Sequence, residues 1–180
     1  MEKLARKAGV AINFNYDVSR LSSGPSSLLS ISNKKFDRVI GCDGAQSLVR
    51  RKTGLSDLRC RLGILGFIKK ESGLDYVETW PCQNGFIWKI PRGKEIEYGI
   101  IADPGRAKAI FHKFLRKNNI FLTGVRSRII PQGFSIPLSS SVTLCGDAAG
   151  LTKPWSGGGV VWGLTCLLYT SDAADELDGV

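Results

Sequence analysis

The chain has a single histidine, His112, and no two of its five cysteines (Cys42, Cys60, Cys82, Cys145, Cys166) stand at C-x-x-C spacing. Without clustered histidines or paired cysteines, a structural or catalytic zinc site is not expected. No apolar run approaches the roughly 18 residues that span a bilayer. The opening MEKLARKAGV is charged and amphipathic, not the apolar core of a secretory signal. Zinc-finger spacing and a basic ribbon interleaved with aromatics are also missing, which disfavours a nucleic-acid-binding module. A cytoplasmic protein is expected.

The composition that remains is globular. Of 180 residues, 43% are hydrophobic, and mean hydropathy is −0.02. That length permits one domain, or one domain and part of another. Basic residues exceed acidic ones by 25 to 16, for a net charge of +9. Such a balance favours anionic partners: cofactor phosphates, anionic lipid headgroups or nucleic acid. The basic residues are scattered (Lys34, Lys35, Arg50, Arg51, Lys52, Lys69, Lys70), so an ordinary solvated surface stands equally beside a functional one.

Two segments carry the chemistry. In VTLCGDAAGLTKPWSGGGV, residues 142–160, an apolar strand runs into Gly146-Asp147, then Pro154 and the glycines Gly157, Gly158 and Gly159, and then an apolar helix start. A carboxylate after a strand can accept hydrogen bonds from sugar-like hydroxyls, and glycines let a ligand approach bare N–H groups. In FDRVIGCDGAQSLVRR, residues 36–51, a second strand reaches Asp43-Gly44 and opens a helix near Ser47 that carries Arg50 and Arg51. An isolated Asp-Gly is usually a turn. Two such junctions predict one bipartite site at the carboxyl ends of sheet strands. Cys42 and Cys145 each flank a junction, where packing of a small buried side chain is expected.

GCDGAQSLVRR resembles the second conserved motif, and CGDAAGLTKPWSGGG the third, of flavoproteins with the para-hydroxybenzoate hydroxylase type of FAD fold. Within that group the chain is similar to the geranylgeranyl reductase family. GFIWKIP, residues 85–91, resembles the aromatic-x-Trp-x-aromatic-Pro element of those reductases through Phe86, Trp88 and Pro91; Ile90 stands where the family usually has an aromatic residue. The resemblance runs from residue 1 to about 165.

It implies an α/β fold: part of an FAD/NAD(P)-binding Rossmann-like domain with an inserted antiparallel β-sheet substrate domain. The implied divisions are a partial FAD-binding domain at 1–59, a substrate-domain sheet plus helix at 60–135, and a return to the FAD-binding domain at 136–165. The implied activity is reduction of C=C bonds in isoprenoid lipid chains by reduced flavin, with NAD(P)H or another donor supplying electrons. An aromatic monooxygenase or halogenase on the same fold is the alternative, and an inactive fragment a further one. Asp147 would hydrogen-bond the ribityl or sugar-phosphate linker, with Gly146 beside it in the cofactor site. Pro154 and Gly157–Gly159 would face the flavin, and Asp43 and Gly44 would shape the other side of the crevice. Arg50 would be a phosphate contact or a surface arginine. Phe86, Trp88 and Trp155 would line an apolar tunnel or pack as sheet core. Peripheral contact with an anionic membrane would suit such a substrate. No proton donor is evident.

The family places a strand–G-x-G-x-x-G–helix unit upstream, and this sequence has none, so a chain cut at both ends is expected. Residues 166–176, CLLYTSDAADE, are similar to the translation of a transposase-type sequencing adapter, so 166–180 are expected to be a non-native tail. Residues 1–165 hold all 25 basic residues and 12 of the 16 acidic ones, a net of +13.

Local patterns predict a helix over 2–8 with Gly9 as its cap, a strand over 10–18, a turn at 22–27, and strands over 28–32 and 37–41. Short β-rich runs follow over 60–102. A helix over 104–118 carries Ala107, Ile110, Phe111, Phe114 and Leu115 on one face, and extended chain returns over 126–137.

Overall fold

The computed structural model describes residues 2–16, 18, 21–23, 29–31, 34–71, 73, 75–153 and 156–166. Pro154, Trp155 and the tail beyond Cys166 therefore lie outside the described residues, as does the Gly24-Pro25 part of the expected turn.

The largest layer is a five-stranded antiparallel sheet of order β6-β7-β8-β5-β9, made by β5 (Arg59–Ile68), β6 (Glu78–Cys82), β7 (Gly85–Pro91), β8 (Ile96–Ala102) and β9 (Thr123–Gln132). Helix α3 (Pro104–Lys117) follows β8 and lies against one face of this sheet. Its start is marked by Asp103 and by Pro104, whose missing N–H costs nothing at that position. Ala107 and Phe111 are fully buried, and Ile110, Phe114 and Leu115 pack beside them, as the helical spacing predicts. From the sheet come Ile87, Ile96, Tyr98, Ile100 and Ala102, with Trp80 packed against Phe114 in a tilted arrangement, ring centroids 5.0 Å apart. Period-two alternation sends the remaining strand residues to the opposite face.

Two cross-strand rows define that opposite face. One runs Phe86–Ile101–Gly63–Arg128, the other Trp88–Gly99–Leu65–Arg126. Each passes from an aromatic side chain on β7 to an exposed arginine on edge strand β9. Trp88 lies flat on the sheet because Gly99 beside it has no side chain; a Cβ there would stand 2.1 Å from the indole ring. The indole N–H donates to Glu97 Oε1 at 2.8 Å, and Arg92 holds the other carboxylate oxygen at 3.1 Å.

The second layer is smaller. Strands β4 (Val39–Gly41) and β10 (Val142–Leu144) pair in parallel, in the register Val39↔Val142 to Gly41↔Leu144. Helix α2 (Leu48–Lys52) packs on them: a Cβ on Gly41 would meet Val49 Cβ at 2.8 Å, so glycine sets this close approach. A buried cluster of Leu21, Val49, Val142, Leu144, Ala148 and Ala149 holds the unit together. A three-stranded antiparallel sheet of β1 (Ser22–Ser23), β2 (Leu29–Ile31) and β3 (Lys34–Phe36) and the short α1 (Glu2–Lys7) complete the described elements, with a final helix, α4, over 160–166.

The expected strand over 10–18 is not formed. Residues 10–16 carry no strand, and Asn15 sits at φ 54° inside a turn. Val10, Phe14 and Tyr16 are all exposed, so the segment has no sheet face on which to bury an alternating pattern. The extended return expected over 126–137 starts earlier, at Thr123, and is the edge strand β9 itself.

Candidate functional site

The parallel pair β4–β10 brings the two Gly-Asp junctions side by side. Beyond Gly41↔Leu144 the Cys145 N–H donates to Gly41 O at 2.9 Å, and both chains then turn away at the carboxyl ends of their strands. This is the edge of an open sheet where ligands bind in α/β folds.

At the first junction, Asp43 is fully engaged by its own chain. Its carboxylate accepts from Ser47 Oγ at 2.6 Å and from the Leu48 and Val49 N–H groups at 2.6 and 3.1 Å. Ser47 in turn accepts from the Arg50 N–H at 2.9 Å and caps α2. Burial pushes the Asp43 carboxyl up, but these donors together outweigh it and hold the pKa below its ordinary value. Asp43 therefore orders the start of α2 while facing the cavity. Gly44, at φ 79°, turns the chain with open space where a side chain would stand.

Arg50 takes a different place from either expectation. It is 1% exposed, neither on the surface nor reaching outward. Nη1 donates to Ala148 O at 2.9 Å, while Nη2 donates to Ala45 O at 2.9 Å and to Asp57 Oδ1 at 3.1 Å. One guanidinium thus joins the loop of the first junction to that of the second, 98 residues away. A fixed fork of donors suits this task better than a lysine. In the sequence nothing separates Arg50 from Arg51 beside it.

At the second junction, Gly146–Ala148 forms a single 3₁₀ turn, with Gly146 at φ 59°. The Gly150 and Leu151 N–H groups fold back on Asp147 O and Gly146 O. The following loop is closed by Lys153 N–H to Gly158 O and Gly157 N–H to Lys153 O, both at 2.9 Å. Gly159 passes so close to Asp147 that a Cβ would stand 3.3 Å from Oδ1. Gly157 abuts the large sheet: its missing Cβ would meet Ile130 and Ile101 at 3.1 and 3.2 Å. Ile101 is the row neighbour of Phe86, so the glycine run is joined to the aromatic face.

Asp147 contrasts with Asp43. No donor among the described residues reaches its carboxylate, and burial alone raises its pKa. Two adjoining cavities meet at this residue. One, of 760 Å³, is lined by Asp43, Gly44, Gln46, Arg128, Ile130, Asp147 and Gly157. The other, of 670 Å³, is lined by Cys42, Gly44, Cys145, Gly146, Asp147 and Gly157–Gly159. Eight residues expected at one site (Asp43, Gly44, Gly146, Asp147, Gly157, Gly158, Gly159, with Arg50 beneath them) are thus assembled around two connected spaces. Phe86 and Trp88 lie 5.8 Å apart on the sheet face opposite α3, outside the α3 core. Cys145 is buried as expected, with Gly163 of α4 against its sulfur, whereas Cys42 is exposed on the cavity wall.

No family model matches the chain. A digeranylgeranylglycerophospholipid reductase of Methanococcus vannielii is 23% identical over 77% of the chain and 40% of its own length. Another protein of that name, from Methanococcus aeolicus, is 24% identical over 97% of the chain and 49% of its length. Among solved structures, a geranylgeranyl bacteriochlorophyll reductase-like protein of Thermoplasma acidophilum superposes with a TM-score of 0.66 at 20% identity, over 98% of this chain and 53% of that one. The resemblance to the geranylgeranyl reductases holds. The flavin-dependent halogenase CmlS also superposes, with a TM-score of 0.62 at 18% identity, over 88% of this chain and 35% of that one. The chain therefore shares its fold with a geranylgeranyl bacteriochlorophyll reductase-like protein and a flavin-dependent halogenase. The chain spans half or less of the length of these curated relatives.

Proposed function

We propose that the chain is part of an FAD-dependent reductase that saturates C=C bonds in isoprenoid lipid chains. The single observation that carries the cofactor assignment is Asp147, a desolvated carboxylate with no described donor at the junction of two cavities. Such a group is stabilised by ligand hydroxyls that donate to it. Around it, Gly44 and Gly146 leave open space, and Gly157–Gly159 expose backbone to the cavity, so the residues present fit a large polar cofactor. In this proposal Asp147 accepts from the sugar-phosphate linker, Gly146 and Gly157–Gly159 border the ring system, and Asp43 and Gly44 form the facing wall. Pro154 and Trp155 complete the set by resemblance alone. Bound FAD, reduced by NAD(P)H or another electron donor, supplies the hydride.

The substrate assignment rests on the face that carries Phe86 and Trp88. Its rows pass from aromatic and aliphatic side chains to Arg126 and Arg128, a surface suited to a hydrocarbon chain with an anionic headgroup. The division at residues 59/60 and 135/136, with substrate contacts on the large sheet and cofactor contacts on the β4–β10 unit, belongs to the same proposal. So does peripheral association with an anionic membrane. Among the described residues, no helix is long and apolar enough to cross one.

The fold is shared with halogenases and a probable FAD-dependent monooxygenase, which keeps aromatic oxidation as a second reading. Purified full-length protein decides between them. The expected result is bound flavin visible in the absorbance spectrum, and addition of hydrogen to geranylgeranyl lipids by the dithionite-reduced protein. Colourless protein that ignores added FAD would overturn the cofactor assignment. Oxygen-dependent halogenation or hydroxylation of an aromatic compound, without lipid reduction, would move the protein to the second reading.

A further inference from the structure

Both junctions begin with a cysteine, and the cofactor proposal uses neither. Cys42 follows Gly41, and Cys145 follows Leu144, the residue paired with Gly41. One further step of the same parallel register sets the two cysteines beside each other, and the Cys145 N–H bond to Gly41 O holds them there. Neighbouring strands run about 4.7–4.9 Å apart, within the Cα separation of about 4.4–6.8 Å that a disulfide requires. Register neighbours on parallel strands also project to the same side, and here both line the 670 Å³ cavity together with Gly157–Gly159.

The two thiols differ in access. Cys42 is exposed, whereas Cys145 is buried and donates to Gly163 O at 3.2 Å, which fastens helix α4 behind the glycine run. Burial first, then the neighbouring Cys42 and Cys166, push the Cys145 thiol up to about 11. Free Cys145 is therefore a poor nucleophile, and attack on an outside reagent falls to Cys42.

We propose that Cys42 and Cys145 form a redox-responsive thiol pair that closes to a disulfide across β4 and β10, at the edge of the cavity bordered by the glycine run. A small disulfide such as oxidised glutathione is the oxidant. The Cys42 thiolate attacks one of its sulfurs, the reagent's S–S bond breaks, and one glutathione leaves as a thiol with the proton from Cys42. The Cys145 sulfur then attacks the Cys42 sulfur, the mixed disulfide breaks, and the second glutathione leaves with the proton from Cys145. Two electrons and two protons pass from the cysteines to the reagent. Closure removes the hydrogen bond from Cys145 to Gly163, so oxidation loosens α4 and alters the cavity wall. The pair stands on strand register and does not depend on which cofactor the cavity holds.

The test equilibrates full-length protein in glutathione buffers of graded oxidised-to-reduced ratio. Free thiols are then trapped by alkylation and the peptides mapped by mass spectrometry. The expected result is a Cys42–Cys145 cross-linked pair, two hydrogens lighter than its separate peptides, that grows with the oxidised fraction and disappears with dithiothreitol. Cys60 and Cys82, whose thiols burial also pushes up, remain alkylated throughout. In Cys42→Ser the loss of Cys145 alkylation is abolished. Three results would each overturn the proposal: Cys42 carrying glutathione while Cys145 stays alkylatable at every ratio, Cys145 joined to Cys166 instead, or both thiols remaining free. Because no flavin is needed for this mapping, its failure is separable from failure of the reductase assignment.

Discussion

Arg50 is the residue on which the two halves of the candidate site depend. Its guanidinium has hydrogen bonds to two carbonyls and a carboxylate, so removing it leaves Ala148 O buried without its donor and the half-buried Ala45 O to solvent. Asp57 is itself exposed, so Arg50→Met should cost about 1–3 kcal/mol in denaturant unfolding, the scale of a buried acceptor left unpaired, and Arg50→Lys should recover little, since an ammonium cannot span the same fork. A loss of under about 0.5 kcal/mol, the scale of an ordinary surface substitution, would contradict the clip. The two aspartates separate by pH. Asp43 is held below its ordinary value, so its stabilisation is complete above about pH 4 and is lost as pH falls through the lower folded pKa. Asp147 is raised, so its charged form is disfavoured in the folded chain and stability declines as pH climbs from about 4 through the folded pKa. Thermal melts across this range should show Asp43→Asn less stable at neutral pH, with a flatter acid limb. Asp147→Asn should be at least as stable as the parent at neutral pH and bind FAD more weakly in a fluorescence titration. Equal FAD affinity in that variant would remove Asp147 from the cofactor site.

At the level of elements, β7 and β8 set the position of Trp88. Gly99→Ala would drive a methyl into the indole ring, which cannot yield toward the backbone beneath it. The expected outcome is a displaced Trp88, a shifted tryptophan emission maximum, and a higher KM for lipid substrate with the flavin content unchanged. An unaltered emission spectrum would mean that the ring does not rest on Gly99. The same elements show what a sequence can disclose. Helix α3 is legible because Ala107, Phe111 and Phe114 repeat at the helical period and Pro104 marks the start. Strand β7 and the two Gly-Asp junctions are legible because turn residues bound them. Strand order is not, because β5 pairs with β8 and β9 through long-range register that no local pattern encodes. Residues 10–16 mislead for the same reason: the apolar alternation is present, and no partner strand lies beside it among the described residues. Arg50 and the Cys42–Cys145 pair were visible only as residue types, since burial and adjacency arise from tertiary packing.

At the scale of the whole molecule, charge and shape act together. The chain carries a net charge of +9, and Lys34, Lys35, Lys69, Lys70, Arg126 and Arg128 are all exposed. None of these six forms an ion pair among the described residues. Edge strand β9 also carries exposed apolar surface on the α3 side of the same edge, with Val125 at 58% and, just before the strand, Phe121 at 86%. A basic surface interrupted by exposed apolar side chains is suited to the headgroup region of an anionic bilayer, where each basic residue near the surface contributes about 1 kcal/mol. This arrangement would put the arginine ends of the Phe86 and Trp88 rows nearest the lipid, with the apolar ends leading inward toward Gly157. Vesicle sedimentation tests it. The protein should sediment with vesicles containing phosphatidylglycerol and not with pure phosphatidylcholine. The bound fraction should fall as salt is raised from about 0.05 to 0.5 M, because the Debye length shrinks from above 10 Å to below 5 Å over that range. Arg126→Gln combined with Lys70→Gln, two exposed positions outside the cavity lining at Asp147, should lower anionic-vesicle binding without changing flavin content. Equal binding to neutral vesicles, or binding indifferent to salt, would assign the association to apolar contact at Phe121 and Val125 and leave the arginines for the substrate headgroup alone.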